Sequence, residues 1–343
     1  MGCGKMDSKM VSDTLVVLGT GGTIAGRAQK PEDLLGYRAG EVPVADLLAG
    51  VSLPTGWRAE AEQVAQIDSK DIGPQVLRRL LQRVRHHLQR PEVHGIVITH
   101  GTDTLEETAW LLQRVFAPAK PVVLTCAMRP ASALVPDGPQ NLADALRVVT
   151  EAGAQGVVAV CAGRIHHGAL VRKVHHYRLD PFDSGDAGPI GLVEQDRVTL
   201  LRSWPLAGEH DTGLCQRLLD RPWPRVECLF SHGGADGWLV RALLAHDQAA
   251  DAGLPDRLCG LVVAGTGNGT LHAELQQALQ LAQQAGVIVW RSTRCASGRV
   301  IGQQADAMLA VPWPPAQARL ALQLALVEGG ADRPPFPEIS PAL

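Results

Sequence analysis

Short, wholly apolar runs separated by helical patterns are the feature that most limits how this chain can fold. Runs without polar alternation suit strands that are covered on both faces, as in a mainly parallel sheet. The pattern predicts an α/β fold in which an N-terminal domain, with a mainly parallel sheet flanked by helices, precedes a smaller C-terminal α/β domain. The runs are TLVVLG at 14–19, GIVIT at 95–99, PVVLTCA at 121–127 and GVVAVCAG at 156–163, then RVECLFSH at 225–232, LCGLVVAG at 258–265, AGVIVWRS at 285–292 and AMLAVPW at 307–313.

The regular pattern loosens between the two sets of runs. Residues 192–224 contain SWPLAGEHDTG and DRPWP, whose prolines and glycines interrupt helices and strands. The sequence therefore predicts an N-terminal α/β domain over 13–191, a linker over 192–224 and a smaller C-terminal α/β domain over 225–343. A chain of 343 residues is long enough for about two domains with apolar cores.

Composition argues against several classes of partner. The formal net charge of -3 is spread along the chain, without a basic block for nucleic acid or a polybasic tail for a membrane. The seven scattered cysteines form no C-x-x-C pair, so we expect reduced thiols and a cytoplasmic protein. Residues 1–12 lack the apolar run of a secretory signal peptide and are predicted to form a disordered leader. A small molecule is the expected ligand.

The first apolar run leads into a glycine-rich turn, LGTGGTIAGR. A strand followed by a glycine-rich turn and a helix start commonly binds phosphate. Here the dinucleotide fingerprint fails because Ile24 occupies its third glycine position, and the P-loop fails because Arg27 and Ala28 replace its lysine and hydroxyl residue. The turn instead offers Thr20 and Thr23 among exposed backbone amides, which suits a hydroxyl nucleophile beside an oxyanion hole.

A second strand-to-helix turn lies in ITHGTDTLEETAWLL. The strand is predicted to end at Thr99, and Thr104 with Glu107 forms a predicted capping box at the helix start. Thr102 and Asp103 are then left at the carboxyl end of a strand, where open α/β sheets bind ligands. The same two residues fit equally well in a turn that only satisfies its own backbone.

A threonine hydroxyl needs a group that takes its proton before it can act as a nucleophile. Tyr37, one of two tyrosines, lies in a glycine-flanked loop shortly after the first turn. Lys173, next to Arg172 in a basic stretch, is the other candidate for this proton-accepting group. Taken alone, each of these residues also fits a solvated loop position.

Six segments together resemble the bacterial-type L-asparaginases, the asparaginase/glutaminase amidohydrolase family. Any one of them could arise by chance, but they follow the family's order over most of the chain. The segments are TGGTIAG at 20–26, IDSKDI at 67–72, HGTDTLEETA at 100–109, AMRP at 127–130, DGPQNL at 137–142 and GTGNGTL at 265–271.

The resemblance implies hydrolysis of L-asparagine to aspartate and ammonia through an acyl-enzyme, with glutamine as a weaker substrate and no metal or organic cofactor. It also implies a homotetramer built from dimers that share active sites. Carried over residue by residue, it assigns catalytic roles to Thr23, Tyr37, Thr102, Asp103 and Lys173. It assigns substrate binding to Gly22, Asp68, Ser69, Lys70, Gly101, Ala127 and Asn268, and it places Ser69 and Asp103 at the α-carboxylate and α-amino groups.

Two positions depart from the family pattern. The family brings a glutamate from the neighbouring subunit, whereas the matching region at 295–315 holds only Asp306 as a carboxylate, beside Gln303 and Gln304. Lys70 stands where glutamine is common, and its positive charge could favour anion binding beside the α-carboxylate pocket. These departures leave the preference between asparagine and glutamine open.

Two other functions remain open at this point. One is an amidotransferase-type subunit that supplies ammonia or corrects misacylated tRNA. The branch of the family with that role carries an additional N-terminal β-domain, whereas only residues 1–13 precede the first predicted strand here. The other is a non-catalytic amino-acid-binding protein on the same scaffold, against which the intact set of threonines, aspartate and lysine argues.

Overall fold

The structure is a computed structural model that describes residues 13–208, 212–249, 257–303 and 307–330. The described residues form two compact units, one ending at residue 208 and the other starting at residue 212. The predicted leader at 1–12, and Gln304 and Asp306 of the departing region, lie outside the described residues. Within the described ranges, no helix combines the length and apolar character needed to cross a membrane.

The first unit alternates strands and helices along the chain before it ends in short strands. Three one-turn 3-10 helices, at Thr23–Ala25, Ser69–Asp71 and Gly185–Ala187, lie in its loops. The longer elements are β1 (Thr14–Gly21), α1 (Val44–Ala49), β2 (Arg58–Ile67), α2 (Pro74–Gln89), β3 (Val93–Thr99), α3 (Leu105–Phe116), β4 (Val122–Thr125), α4 (Gly138–Val149), β5 (Val157–Cys161), β6 (Arg164–His167), β7 (Arg172–Lys173), β8 (Phe182–Asp183), β9 (Gly191–Glu194) and β10 (Arg197–Leu200).

Over the described residues, the main sheet of this unit has eight strands in the order β10, β9, β6, β5, β4, β3, β1, β2. Pairing is parallel from β5 to β2 and antiparallel from β10 to β5. All eight residues of β1 are buried, and Leu15 and Val17 pack in one cluster with Leu142 and Leu146 of α4. Burial of each such side chain contributes about 1.5–3 kcal/mol. The predicted mainly parallel sheet with flanking helices is confirmed.

The edge strand β2 was not among the predicted strands, because charged and small residues alternate along it. The carboxylates of Glu60 and Glu62 face helix α2, where Glu62 binds Arg83 at 2.5 Å and His87 at 2.8 Å. Glu60 binds Arg90, just beyond the helix, at 2.7 Å. Charges along an edge strand discourage pairing with another chain. The polar residues that kept β2 from being predicted as a strand are therefore appropriate to an edge strand.

The second unit contains a four-stranded parallel sheet in the order β11, β12, β13, β14, counted over its described residues. Leu261 and Val263 are fully buried against Leu275 and Leu279 in its core cluster. The predicted smaller α/β domain is confirmed in type. Its elements are α5 (Thr212–Asp220), β11 (Arg225–Phe230), α6 (Trp238–Ala249), β12 (Leu258–Gly265), α7 (Ala273–Gln284), β13 (Ile288–Thr293), β14 (Leu309–Ala310) and α8 (Pro315–Glu328).

The structure differs from the predicted linker over 192–224. Strands β9 and β10 form an antiparallel hairpin within the first sheet, and α5 begins at Thr212 in the second unit. Gln195 and Asp196 join the hairpin with positive φ angles of 46° and 61°. A two-residue turn of this kind connects short strands directly. Because the hairpin is largely exposed, its sequence has no apolar run that would have predicted it.

Candidate active site

Three neighbouring strands bring most of the predicted residues to one edge of the first sheet. β1 lies between β2 and β3, with Gly21 paired to Ile67 and Gly19 paired to Thr99. Since all three strands are parallel, their carboxyl ends meet at the edge where open α/β sheets bind ligands. The loops that leave them hold Gly22 and Thr23 after β1, Asp68, Ser69 and Lys70 after β2, and Gly101, Thr102 and Asp103 after β3.

The three loops approach one another through glycine backbone. Gly22 has a φ of 79°, and a Cβ on it would overlap the backbone of Gly101. A Cβ on Gly101 would lie 2.5 Å from Ser69 Oγ. Only glycine permits such an approach at both positions. The buried hydroxyl of Thr20 adds a further connection, since it donates to the Thr99 carbonyl at 3.0 Å.

Thr23 and Tyr37 form the first hydroxyl pair of the site. Their side-chain oxygens lie 2.7 Å apart, and Thr23 is only 8% exposed. Burial raises the pKa of Tyr37, the charges of Asp68 and Asp103 raise it further, and the hydrogen bond with Thr23 opposes this shift. The phenol therefore stays protonated at neutral pH. It can accept a proton from Thr23 only as it passes its own proton on.

Lys173 joins Thr102 and Asp103 in a second group. Lys173 Nζ donates to Thr102 Oγ1 at 2.8 Å and to Asp103 Oδ1 at 2.5 Å. The lysine reaches this turn from β7, which pairs with β8 in a separate two-stranded sheet. Thr102 is buried, whereas the Asp103 side chain is 49% exposed. A buried hydroxyl thus contacts a cation, and a carboxylate beside it faces solvent.

Ser69 connects the β2 loop to the turn that carries Thr102. Its hydroxyl oxygen accepts the Asp103 backbone N–H at 3.2 Å, and its carbonyl accepts the Thr104 hydroxyl at 2.8 Å. The predicted capping box at Thr104 is therefore wrong, because this hydroxyl makes no cap to its own helix. The carbonyl of Ser69 takes its place as partner. Thr104 therefore connects the loop after β3 to the loop after β2 and does not cap helix α3 with its side chain.

Lys70 is exposed and paired with carboxylates of its own turn. Its Nζ lies 2.6 Å from Asp71 and 3.4 Å from Asp68. The hydrogen bond to Asp71 raises the pKa of Lys70, and the charges of Asp68 and Asp71 act in the same direction. The positive charge that the sequence suggested beside the pocket is thus partly neutralised locally.

Ala127, which the resemblance assigns to substrate binding, lies beneath the turn that carries Thr23. It has no exposed surface, and it packs with Ile24 and Ala25 beneath the turn of Thr23. Its loop is held by Asp137, whose carboxylate accepts Met128 N and Arg129 N at 2.9 Å each. The AMRP and DGPQNL segments thus meet as one structural unit. The predicted contact of Ala127 with substrate stays a prediction.

A buried histidine, His100, lies immediately before the turn that carries Thr102. His100 donates from Nδ1 to the Gly101 carbonyl at 2.7 Å and accepts the Thr108 hydroxyl at Nε2, 2.9 Å away. Burial lowers the pKa of His100 to about 4. The neutral ring ties the turn to helix α3. No group of three or more histidine, cysteine or carboxylate residues that could hold a metal ion occurs among the described residues.

Both parts of the chain match known families. The family model described as "Asparaginase, N-terminal" matches residues 14–206, and the one described as "Glutaminase/Asparaginase C-terminal domain" matches residues 225–333. The chain belongs to the asparaginase family. The resemblance predicted from the six segments is therefore confirmed.

Individual asparaginase-family proteins are similar over nearly the whole chain. L-asparaginase 2 of Bacillus subtilis is 34% identical over 321 residues, covering 91% of this chain and 82% of the relative. Glutaminase-asparaginase of Pseudomonas fluorescens is 32% identical over 338 residues, covering 94% and 89%. The crystal structure of a probable cytoplasmic L-asparaginase from Campylobacter jejuni aligns with a TM-score of 0.79 at 30% identity, covering 92% of this chain and 95% of the other.

Asn268, which the resemblance places in the asparaginase site, lies in the second unit. Its amide nitrogen donates to the Ile301 carbonyl at 3.1 Å, and its amide oxygen accepts the Ile301 N–H at 2.8 Å. Both ends of the amide therefore bind the segment that follows β13. Within its unit, Asn268 fixes the conformation of this exposed segment.

Glu106 is a residue of this asparaginase-family site that sequence reasoning missed. Its Oε2 accepts the backbone N–H of Lys173 at 2.6 Å. Burial raises the pKa of Glu106 to about 7. The sequence feature that could have indicated Glu106 is its position three residues after Asp103 in HGTDTLEETA. An acidic residue in the first turn of a helix is so common that this place alone indicated nothing more.

Proposed function

We propose that this chain hydrolyses the side-chain amide of L-asparagine to aspartate and ammonia, with Thr23 as the nucleophile. The observation that carries the proposal is that Thr23 and Thr102, on touching loops, each bind a group that can move a proton: Tyr37 and Lys173. Relatives named L-asparaginase, among them the one from Bacillus subtilis, support asparagine as the substrate.

Acylation uses the Thr23 and Tyr37 pair. The Thr23 oxygen bonds to the side-chain amide carbon of asparagine, and the amide C–N bond breaks. Tyr37 accepts the Thr23 proton as it passes its own proton to the departing nitrogen. Ammonia leaves, and an aspartyl ester of Thr23 remains. The protonated phenol at neutral pH suits this relay because no free phenolate is needed.

Deacylation uses water and the second group. Water bonds to the ester carbon, the ester C–O bond breaks, and a proton returns to Thr23 as aspartate is released. Thr102 relays the water proton, supported by Lys173 and Asp103, because a hydroxyl can accept one proton while it donates another. Backbone N–H groups of the glycine-rich turns stabilise the negative charge on the reacting oxygen.

Substrate binding is proposed at the neighbouring loop residues. Because Ser69 Oγ accepts the Asp103 N–H, its own hydroxyl proton is available to donate to the substrate α-carboxylate. The half-exposed Asp103 carboxylate pairs with the α-ammonium group, beside Asp68. Glutamine carries one additional methylene, so we propose weaker glutaminase activity, about 10- to 200-fold below that with asparagine.

Ammonia release from L-asparagine and L-glutamine, measured side by side, tests the reaction. Thr23→Ala and Thr102→Ala should each abolish turnover while the melting temperature stays near that of the parent. Rapid quenching with asparagine, followed by peptide mass spectrometry, should find an aspartyl group on the peptide that contains Thr23. Full turnover by either variant would exclude its assigned role. Absence of release from both amides would favour the amino-acid-binding protein or the amidotransferase-type subunit.

We further propose a homotetramer of paired subunits, in which Asn268 supports the site of a neighbour. Light scattering on the purified protein measures the mass directly. Asn268→Ala should lower asparagine turnover while the mass is unchanged. A monomer with full activity would contradict this arrangement.

The cytoplasm is the proposed location. Relatives carry names for either compartment, since the Campylobacter jejuni structure is called cytoplasmic and a Haemophilus influenzae relative is called periplasmic. The described cysteines are free thiols, which is compatible with a reducing compartment. Fractionation of the source cells with an antibody against the chain would decide between the two.

A further inference from the structure

Glu106 contacts Lys173 at a point that the proposed proton transfers do not use. Its carboxylate accepts the Lys173 backbone N–H at 2.6 Å, across 67 residues of chain. The side chain of the same lysine donates to Thr102 and Asp103. Both ends of Lys173 therefore bind one short stretch, residues 102–106, which comprises a turn and the first turn of α3.

The strand that carries Lys173 provides little restraint of its own. Among the described residues, β7 has two residues and pairs with β8 alone, through Arg172 with Asp183 and Lys173 with Phe182. One further backbone bond, from Val174 N–H to the Pro181 carbonyl at 2.8 Å, continues this pairing. Two-stranded pairs are marginally stable by themselves. The hydrogen bond to a helix start adds a connection to a rigid element. The lysine side chain is flexible and does not fix the position of Nζ by itself. Nζ can therefore stay beside Thr102 and Asp103 only while the Lys173 backbone is held within reach of them.

We propose that Glu106 is a positioning residue whose carboxylate holds the Lys173 backbone so that Nζ reaches Thr102 and Asp103. The inference rests on the proposed amidohydrolase function, in which Lys173 supports the Thr102 relay. A displacement of about 1 Å in a catalytic group can lower the rate about 100-fold. The competing interpretation is that Glu106 only stabilises the N-terminus of α3, as first-turn acids do.

Burial and charged neighbours together set the pH at which the Glu106 carboxylate ionises. Burial raises the pKa of Glu106 to about 7 and is the largest effect. Glu107 raises it further, whereas the Lys173 N–H bond and the charges of Arg172 and Lys173 lower it. Asp183 and Asp186 act on Arg172 from the β8 side. The ionised form is the stronger acceptor, so activity should rise with pH through about 7.

Kinetics of two Glu106 variants test the role. Glu106→Ala should lower kcat for asparagine at least about tenfold at pH 8, with KM within about twofold, because Lys173 supports the transition state rather than ground-state binding. Glu106→Gln keeps an amide oxygen as acceptor, so it should retain most of kcat and lose the rise through pH 7. Glu107→Gln is the matched control and should shift the rise to lower pH with kcat at pH 8 unchanged.

Chemical labelling gives a readout that does not depend on activity. Acetylation of Lys173 by acetic anhydride, quantified by peptide mass spectrometry, should be at least about fivefold faster in Glu106→Ala than in the parent, because a less ordered lysine loses its partners. Unchanged labelling, or wild-type kcat and pH profile in Glu106→Ala, would overturn the proposal. A lower melting temperature with unchanged labelling would assign Glu106 to the helix instead.

The same measurements separate the two proposals. Absence of ammonia release by the wild-type chain would reject the proposed function, and the labelling rates would still decide whether Glu106 holds Lys173. Normal wild-type turnover with unchanged Glu106→Ala kinetics would reject only the positioning role.

Discussion

The hydroxyl oxygen of Thr23 lies 2.7 Å from that of Tyr37, and both residues belong to the loop between β1 and α1. The loop is closed by paired backbone bonds between Arg27 and Arg38, 2.9 Å each. The Tyr37 ring lies over Gly26, where a Cβ would come within 2.8 Å of Cδ2. Local chain geometry thus brings the proposed nucleophile and its proposed proton-transfer partner together within fifteen residues.

Removal of the Tyr37 hydroxyl should slow acylation. We expect Tyr37→Phe to lower kcat for asparagine about 100-fold or more, since a positioned proton-transfer group contributes about 10²–10⁴-fold. Steady-state ammonia release measures the effect. Tyr177→Phe is the matched control, because Tyr177 is the other tyrosine and is 55% exposed. Equal kcat in both variants would remove Tyr37 from the mechanism.

A methyl group on Gly101 should force the three loops apart. In Gly101→Ala the added Cβ would lie 2.5 Å from Ser69 Oγ and 3.1 Å from Gly22 Cα, so the backbone must move. We expect kcat/KM for asparagine to fall about 100-fold because the catalytic groups are displaced. Gly73→Ala, where nothing lies within 4 Å of the new Cβ, should have little effect. Parent-like kinetics in Gly101→Ala would contradict the close approach.

Loss of the Asp137 carboxylate should destabilise the first unit. Its oxygens accept Met128 N and Arg129 N, and these N–H groups would lose a charged acceptor in Asp137→Ala. We expect the free energy of unfolding to fall by about 2–4 kcal/mol. Urea unfolding followed by circular dichroism measures it. The control Asp46→Ala, at an exposed first-turn position of α1, should cost under about 1 kcal/mol.

Acid should destabilise the fold through three histidines, of which His100 and His166 are buried and His167 is half-buried. Loss of contact with water lowers the pKa values of His100, His166 and His167 to about 4, below the ordinary histidine value of about 6.5. Because the unfolded chain binds these protons first, their stabilising contribution is complete above pH 6.5 and is lost as pH falls toward 4. Each histidine contributes about 1.4 kcal/mol per pH unit while only its unfolded form is protonated.

Glu106 has the opposite effect on the pH dependence of stability, but three histidines act against this one carboxyl group. Its folded-state pKa of about 7 lies above the ordinary 4.5, so its contribution is largest at low pH and is lost as pH rises to 7. We therefore expect the urea midpoint to fall between pH 6.5 and 4.5, and His167→Gln to flatten this dependence. A midpoint that is constant over that range would show that these histidines are not held neutral in the folded protein.

The apolar strands and the two turns that carry Thr23 and Thr102 were predictable from the sequence because their causes are local. β12 coincides with the run LCGLVVAG, and β3 ends at Thr99 as predicted. The spacing of Thr23 and Thr102 from their strand ends follows directly from these runs, and the six segments indicated the asparaginase family. Because β1 is parallel to both β2 and β3, the loops that follow these three strands lie at one edge of the sheet.

Tertiary structure alone decided the contacts between distant segments. Lys173 reaches Asp103 across 70 residues, and the Thr104 hydroxyl binds the Ser69 carbonyl in place of its own helix. The hairpin of β9 and β10 and the charged edge strand β2 have no apolar run, because each leaves much of its surface exposed. Local patterns report which face of an element is buried, whereas the partner of a polar group depends on which other segment folds against it. The contact between Glu106 and Lys173 is of this type, because it depends on how two distant segments fold against each other.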